Sequence, residues 1–205
     1  ASTHRTKERA AETVKHLYLI GGTMGVGKTT VSQILKRELP DCVFLDGDWC
    51  WDADPFQVTE DTKRMVLENI IFLLNQFLRC PAYKNIVFCW VMHQQEILDR
   101  ILEGLKDENE TTPAMEGSGE GVSIHAVSLV CEPSALTRRL EKDVKAGIRR
   151  ADVIERSLSR LPLYMGLNTR KIDVTDLTPE ETALAIRKAL ARLTSRVKEA
   201  ADSME

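Results

Sequence analysis

The sequence predicts an α/β fold, in which a five-stranded parallel sheet is covered by helices on both faces. Three observations support this class. Short apolar runs alternate with longer segments of helical character along the 205 residues. The runs are continuously apolar, as expected of parallel strands that are buried on both faces. A short glycine-rich turn also joins the first run to the first helical segment, which is how a parallel β–α unit begins.

The strands are predicted where the chain has a short apolar run, because runs of roughly four to eight residues bounded by turn residues favour a strand over a helix. In chain order these runs are LYLIG at 17–21, CVFLD at 42–46, IVFCWV at 86–91, IHAVSLV at 124–130 and KIDV at 171–174. Helices are predicted in the segments between and after them. They lie at 28–38, 61–79, 94–105, 133–146, 152–165 and 179–198.

Residues 16–205 are predicted to form a single domain after an N-terminal tail at 1–15, which lacks the apolar centre of a signal peptide. The segment KDENETTPAMEGSGEG at 106–121 is nearly free of large apolar residues. Such a segment cannot bury enough surface to order itself, so we expect a mobile surface loop inside the domain.

Composition argues against several classes of partner. The net charge of −3 and the isoelectric point near 5.9 give no overall attraction to nucleic acid or to an anionic membrane. No apolar run is long enough to span a bilayer. Five scattered cysteines without a CxxC pair favour reduced thiols and a cytoplasmic protein. The sequence gives no indication of the oligomeric state.

The glycine-rich turn GTMGVGKT at 22–29 matches the pattern G-x-x-x-x-G-K-[ST] completely, with a strand before it and an amphipathic helix after it. In this pattern backbone N–H groups surround phosphate oxygens, Lys28 reaches the β- and γ-phosphates, and the Thr29 hydroxyl binds Mg²⁺. The alternative is a turn that only joins strand to helix. The complete motif favours a P-loop that binds Mg·ATP. The predicted nucleotide-binding residues are Gly22, Thr23, Met24, Gly25, Val26, Gly27, Lys28, Thr29 and Thr30.

Two carboxylates follow the second strand, at Asp46 and Asp48 in the stretch VFLDGDWCW. Ligands of open α/β sheets gather at the carboxyl ends of the strands, so both side chains are expected near the P-loop. One could hold Mg²⁺ and the other accept a proton from a hydroxyl group. The alternative is that Asp-Gly-Asp is only a turn. The third strand, NIVFCWVMH, has no carboxylate, which argues against ATPase motors and helicases and gives more weight to this pair.

Basic residues are concentrated late in the chain, around the stretch KDVKAGIRRAD. We predict a lid at about 143–152, in which Arg149 and Arg150 neutralise the phosphoryl group during transfer. The alternative for each arginine is an exposed helix face with ion pairs to nearby acids.

The order of P-loop, FLDGD, basic lid and RLPLY resembles the shikimate kinase, gluconate kinase and chloramphenicol phosphotransferase group of P-loop small-molecule kinases. Arg160 opens the RLPLY stretch, which is similar to the R-x-P-L-Y element of shikimate kinases. The resemblance implies the three-layer P-loop NTPase fold with nucleotide-kinase-like topology and a lid. It covers roughly residues 17–200.

The resemblance also implies roles for individual residues. Asp48 corresponds to the catalytic base and Asp46 to the residue that holds Mg²⁺ through water. Arg139 stands where the family stacks an arginine on adenine, Arg149 or Arg150 corresponds to the lid arginine, and Arg160 faces the substrate. The third strand ends in WVMH, where shikimate kinases have three glycines, which argues against shikimate as the acceptor.

The acceptor is expected to bind next to Asp48. Trp49 and Trp51 would point the same way in an extended chain and form an apolar wall for a flat ring or a sugar face. His93 could donate to an acceptor hydroxyl. The alternatives are two core tryptophans and a structural histidine. No Arg or Lys lies between residues 47 and 62, which argues against a phosphate-bearing acceptor held there.

The sequence therefore predicts a Mg·ATP-dependent kinase that phosphorylates a hydroxyl group of a small molecule. A nucleoside monophosphate kinase is the alternative within the enzymes, because Lys63, Arg64 and Arg160 could still bind a phosphate. A regulatory module that binds ATP without catalysis is the alternative from another class. It would need neither the aspartate pair nor the lid arginines.

Overall fold

The computed structural model describes residues 14–106 and 121–189, which contain one parallel sheet with the strand order β2-β3-β1-β4-β5. All neighbouring strands are paired in parallel. The predicted five-stranded α/β fold is therefore confirmed. The strands are β1 (Lys15–Gly21), β2 (Cys42–Asp46), β3 (Asn85–Trp90), β4 (Val122–Val130) and β5 (Arg170–Asp173).

The strand order brings the carboxyl ends of three strands together at one edge of the sheet. β1 is central, and its last residue, Gly21, is in register with Trp90 of β3. On the other side of β3, Cys89 is in register with Asp46, the last residue of β2. The first two connections of the chain leave from this edge, so the P-loop and the aspartate pair start next to each other.

Helices cover both faces of the sheet and form three layers with it. They are α1 (Lys28–Glu38), α2 (Glu60–Arg79), α3 (Gln95–Lys106), α4 (Pro133–Lys145), α5 (Val153–Arg160) and α6 (179–189). One core cluster joins the sheet to α2 and α3, and the other joins it to α1, α4, α5 and α6. The side chains of β1 alternate between the two clusters, with Leu17 and Leu19 in the first and Tyr18 and Ile20 in the second.

The predicted helix at 152–165 is two elements in the structure. α5 ends at Arg160, and a 3-10 helix, Leu161–Gly166, follows it. Pro162 lacks the backbone N–H that a continuing α-helix would need, and its ring clashes with the preceding turn. The change of helix type at this point therefore has a local cause.

Other predicted boundaries differ by one or two residues. β1 begins at Lys15, inside the predicted tail. Residues 1–13 of that tail, residues 107–120 of the predicted loop and the end of the last predicted helix lie outside the described residues. None of the helices in the described ranges combines the length and the apolar character that crossing a membrane requires.

Candidate active site

The P-loop at residues 22–27 is packed against α4. Gly25 has a φ of 80°, in the left-handed region that favours glycine. A Cβ atom at Gly25 would lie 2.4 Å from Cδ2 of Leu140. Backbone conformation and packing therefore both require glycine here. The loop ends at Gly27 directly before α1, so the positive end of the helix dipole faces the same place, where an anion is stabilised.

Lys28 is the first residue of α1 and bends back over the loop. Its Nζ donates a hydrogen bond to the backbone oxygen of Thr23 at 3.0 Å. The Thr23 side chain is fully buried and donates to the backbone oxygen of Ser157 in α5, also at 3.0 Å. Burial lowers the pKa of Lys28, while nearby acidic groups favour its charged form. Within the described ranges Lys28 makes no ion pair, which leaves its charge for a phosphate group.

Asp46 is the last residue of β2, and its side chain forms a hydrogen bond with Thr29, at the end of the glycine-rich motif. Its side chain is nearly buried, and its Oδ2 accepts a hydrogen bond from Thr29 Oγ1 at 2.8 Å. Its Oδ1 accepts the backbone N–H of Asp48 at 3.1 Å. Burial raises the pKa of Cys89 to about 12, so this residue is a thiol, and it donates to Asp46 Oδ2 at 3.5 Å. Three donors thus fix a carboxylate beside a P-loop hydroxyl.

The pair formed by Thr29 and Asp46 fits a magnesium ion. Mg²⁺ prefers oxygen ligands and is usually bound by one or two protein groups together with substrate phosphates and water. Here a hydroxyl and a carboxylate lie 2.8 Å apart at the entrance of a phosphate-binding loop. The residues present therefore have the chemistry that Mg·ATP requires.

Asp48 lies in a short 3-10 helix, Gly47–Cys50, in which the residue as a whole is exposed while its carboxyl group is partly buried against the cleft. Its Oδ1 accepts a hydrogen bond from Nε1 of Trp90 at 3.1 Å. Partial burial of the carboxyl group and the neighbouring Asp46 raise the pKa of Asp48, while Lys28 and the Trp90 hydrogen bond act in the opposite direction. A raised pKa makes a carboxylate a better proton acceptor near neutral pH.

Lys28, Thr29 and both aspartates line one cleft of about 1320 Å³. Around the P-loop its lining consists of Met24, Gly25, Gly27, Lys28, Thr29 and Thr30. Asp46, Gly47, Asp48 and Trp90 also line it, as do Trp51, Asp52, Phe56 and Val58 and residues of α2 and α3. The structure thus brings six of the nine predicted P-loop residues and both aspartates to one cleft, whereas Gly22, Thr23 and Val26 do not line it.

The two predicted lid arginines lie in different surroundings. Arg149 lines the cleft, and its Nε is 3.1 Å from Oδ2 of Asp143. Arg150 is not among the residues that line the cleft, and its side chain is 96% exposed. It lies 3.8 Å from Asp152, a distance typical of a weak surface pair. Of the two arginines, only Arg149 therefore lines the cleft.

Arg139 and Arg160 both line the cleft. Nη2 of Arg139 donates to the backbone oxygens of Val174 and Thr175, at 2.6 and 3.1 Å, so this guanidinium group is tied to the segment after β5. Burial of the imidazole lowers the pKa of His93, and the positive charge of Arg160 lowers it further. Within the described residues, Nδ1 of His93 is buried without a hydrogen-bond partner.

The expectation of an extended chain with two parallel tryptophans is wrong. Residues 47–50 form a 3-10 helix, because the Asp46 side chain caps it through the backbone N–H of Asp48. Trp49 is 61% exposed, packs edge-on against Phe44 and does not line this cleft, but together with Trp51 it lines a smaller pocket of about 420 Å³. The rings of Trp51 and Phe56 have centroids 4.6 Å apart and are tilted by 33°, and both line the cleft. The apolar wall of the cleft is thus formed by Trp51 and Phe56.

Comparison with models of known protein families shows which family the chain belongs to. The family model described as AAA domain matches residues 19–157, more than half of the sequence. The chain belongs to the AAA domain family. No curated protein matches it.

Several solved structures share the fold of this AAA-domain chain. A gluconokinase from Sinorhizobium meliloti 1021 matches with a TM-score of 0.61 at 17% identity, over 91% of this chain and 97% of that one. The tunicamycin resistance protein of Deinococcus radiodurans has a TM-score of 0.60 at 19% identity, over 86% and 95%. A sugar kinase from Janibacter sp. HTCC2649 has a TM-score of 0.55 at 15% identity, over 90% and 98%. The resemblance to P-loop small-molecule kinases is confirmed at the level of fold.

Sequence reasoning missed two site residues of the AAA-domain chain, Cys89 and Trp90. Both lie at the carboxyl end of β3 and contact the aspartates from the neighbouring strand. The run IVFCWV contains no charged residue, so it indicates only a buried strand. The rule that ligands gather at the carboxyl ends of strands was the one available indication, since it applies to β3 as well as to β2.

Separate replacement of the two lid arginines provides a test of this geometry. We expect Arg149→Ala to lower the turnover number of phosphoryl transfer by at least tenfold and to change ATP affinity less, because the contact strengthens as charge moves in the transition state. Arg150→Ala should have a clearly smaller effect, since its side chain lies in solvent. Steady-state kinetics and calorimetry of both variants measure this. Equal losses of turnover number in the two variants would contradict the different positions of Arg149 and Arg150.

Proposed function

We propose that this protein is a kinase that transfers the γ-phosphoryl group of Mg·ATP to a hydroxyl group of a small molecule. The observation that supports the proposal most directly is the position of Asp48. Its carboxylate lines the same cleft as the P-loop lysine and the Thr29–Asp46 pair. A module that only bound ATP would need no second carboxylate at this point.

Different residues of the chain bind different parts of the nucleotide in this proposal. Lys28 and the N-terminus of α1 attract the β- and γ-phosphates. Thr29 and Asp46 would hold Mg²⁺, which when bound neutralises charge on the phosphates and orients them. Arg139 lines the cleft and is fixed by two backbone carbonyls, and in this proposal its guanidinium plane stacks on the adenine.

Asp48 acts as the general base in this proposal. The acceptor hydroxyl oxygen forms a bond to the γ-phosphorus while the bond from that phosphorus to the β–γ bridging oxygen breaks. The hydroxyl proton moves to the Asp48 carboxylate, and ADP leaves with the bridging oxygen. Arg149 and Arg160 line the cleft, and in this proposal they stabilise the negative charge during transfer.

The part of the cleft beside Trp51 and Phe56 favours an acceptor with a flat or apolar part. These two rings, tilted by 33°, present an aromatic surface to the cleft. Two cations of α2 also line the cleft, and each forms an exposed surface pair: Lys63 lies 2.9 Å from Glu60, and Arg64 lies 2.8 Å from Asp61. Surface pairs of this kind are weak and leave both cations able to bind a phosphate, so the preference for a flat or apolar acceptor rests on the aromatic pair.

A nucleoside monophosphate is the second candidate acceptor. Arg100 and Arg160 line the cleft, and neither forms an ion pair within the described residues. Guanidinium groups of this kind can hold a phosphate in two-point contact.

Measurement of ADP release from Mg·ATP in the presence of candidate acceptors tests the proposal. The panel should contain sugar acids, hydroxylated antibiotics with aromatic rings and nucleoside monophosphates, with mass spectrometry to identify the phosphorylated product. We expect one class to stimulate ADP release and Asp48→Asn to abolish the stimulation. Tight ATP binding without stimulation by any class would favour the regulatory module instead.

A further inference from the structure

The two oxygens of the Asp48 carboxylate have different surroundings. Oδ1 accepts the indole N–H of Trp90 at 3.1 Å. Within residues 14–106 and 121–189, no side chain or backbone donor contacts Oδ2. We propose that Trp90 is a positioning residue, which holds Oδ1 so that Oδ2 is the atom that takes the acceptor proton. This inference rests on the proposed function of Asp48 as the base.

Trp90 is itself firmly held. It is the last residue of β3, is 9% exposed, and is in register with Gly21 of the central strand. Its ring also covers Gly47: a Cβ atom at Gly47 would lie 2.4 Å from Cγ and 2.6 Å from Cδ1 of Trp90. The absence of a side chain at Gly47 therefore lets the indole lie beside the 3-10 helix that carries Asp48.

The hydrogen bond matters because Asp48 has little else to orient it. Its residue is exposed, and Trp90 is the one side chain in the described ranges that hydrogen-bonds its carboxylate. Without this donor the carboxylate could rotate about its side-chain bonds. A base must meet the acceptor proton in a narrow geometry, and a misplacement of about 1 Å can cost on the order of a hundredfold in rate. Trp90 would supply that geometry from a rigid strand.

Nuclear magnetic resonance tests the contact without any acceptor. The three tryptophans give separate indole N–H signals, and Trp90→Phe identifies the signal of Trp90. In the otherwise unchanged chain, Asp48→Ala, which removes the acceptor, should shift the Trp90 signal strongly and speed its exchange with water. The signals of Trp49 and Trp51 should move less. A Trp90 signal that does not respond to Asp48→Ala would overturn the inference.

Kinetic measurements test whether the hydrogen bond between Trp90 and Asp48 contributes to the reaction. The assay is ADP release from Mg·ATP, with the acceptor that the panel identifies or with water as the acceptor. Trp90→Phe keeps an aromatic ring beside Gly47 but removes the donor. We expect it to lower the turnover number by about ten- to a hundredfold, with the KM for ATP nearly unchanged. In the Asp48→Asn background the same change should have little further effect, because residues that act through one contact are not additive.

Gly47→Ala should lower the turnover number in the same way, because the added Cβ atom must displace the indole ring of Trp90. Calorimetric ATP binding by each variant shows that the chain is folded. Normal turnover in Trp90→Phe, or a full additional loss in the Asp48→Asn background, would overturn the positioning role and leave the proposed function intact. Absence of turnover in the unmodified protein would overturn the proposed function and this role with it, whatever the resonance data show.

Discussion

Asp48→Asn should reduce phosphoryl transfer by about 10²–10⁴-fold, the usual contribution of a general base. Asparagine keeps the size of the side chain and can still accept the Trp90 hydrogen bond through its amide oxygen. It removes the charge and the basic lone pair that would receive the hydroxyl proton. ATP affinity should stay within a few fold, because the P-loop supplies that binding. Calorimetry and a transfer assay on the same preparation measure both quantities.

Asp46→Asn is the matched comparison, since it changes the neighbouring carboxylate in the same way. If Asp46 holds Mg²⁺ with Thr29, its defect should be partly relieved at higher Mg²⁺ concentration, whereas that of Asp48→Asn should not. Full transfer activity in Asp48→Asn would exclude this residue as the base and make His93 the next candidate, because its Nδ1 is buried and unpaired within the described residues.

Lys28→Ala should weaken ATP binding and lower transfer by several orders of magnitude. The lysine makes no ion pair within the described part of the chain, and its one hydrogen bond is to the Thr23 carbonyl of its own loop. Its charge is thus available for phosphate, and its removal should leave the fold intact. Thermal unfolding, calorimetry and ADP release together measure these effects. Unchanged ATP affinity and turnover would contradict a phosphate-binding role for the loop.

The P-loop and the aspartate pair could be predicted because each is contiguous in the chain. The turn at 22–29 needs only its own residues and the elements on either side to be recognised, and Asp46 ends a run that is plainly a strand. The five parallel strands were predictable for the same reason, since each is a separate apolar run. For the P-loop, the aspartate pair and the strands, the order of residues along the chain and their local conformational preferences were sufficient for the prediction.

Contacts between distant segments could not be predicted in this way. The roles of Cys89 and Trp90 depend on β3 lying between β2 and β1, an order that no single run reveals. The positions of Trp49 and Trp51 depend on one capping hydrogen bond, in which the backbone N–H of Asp48 donates to the Asp46 carboxylate and turns an expected extended segment into a 3-10 helix. The difference between Arg149 and Arg150 depends on the path of the turn between α4 and α5.

The buried hydrogen bond from Thr23 to Ser157 has a mechanical consequence. It fastens the middle of α5 to the phosphate loop, and the following 3-10 helix is anchored by the hydroxyl of Tyr164 on the backbone oxygen of Val91. A tilt of α5 would therefore break a buried hydrogen bond. Residues 146–152 are all exposed, so we expect this turn to change its conformation at a lower cost in free energy. Arg149, in this turn, should move more easily than Arg160, at the end of α5.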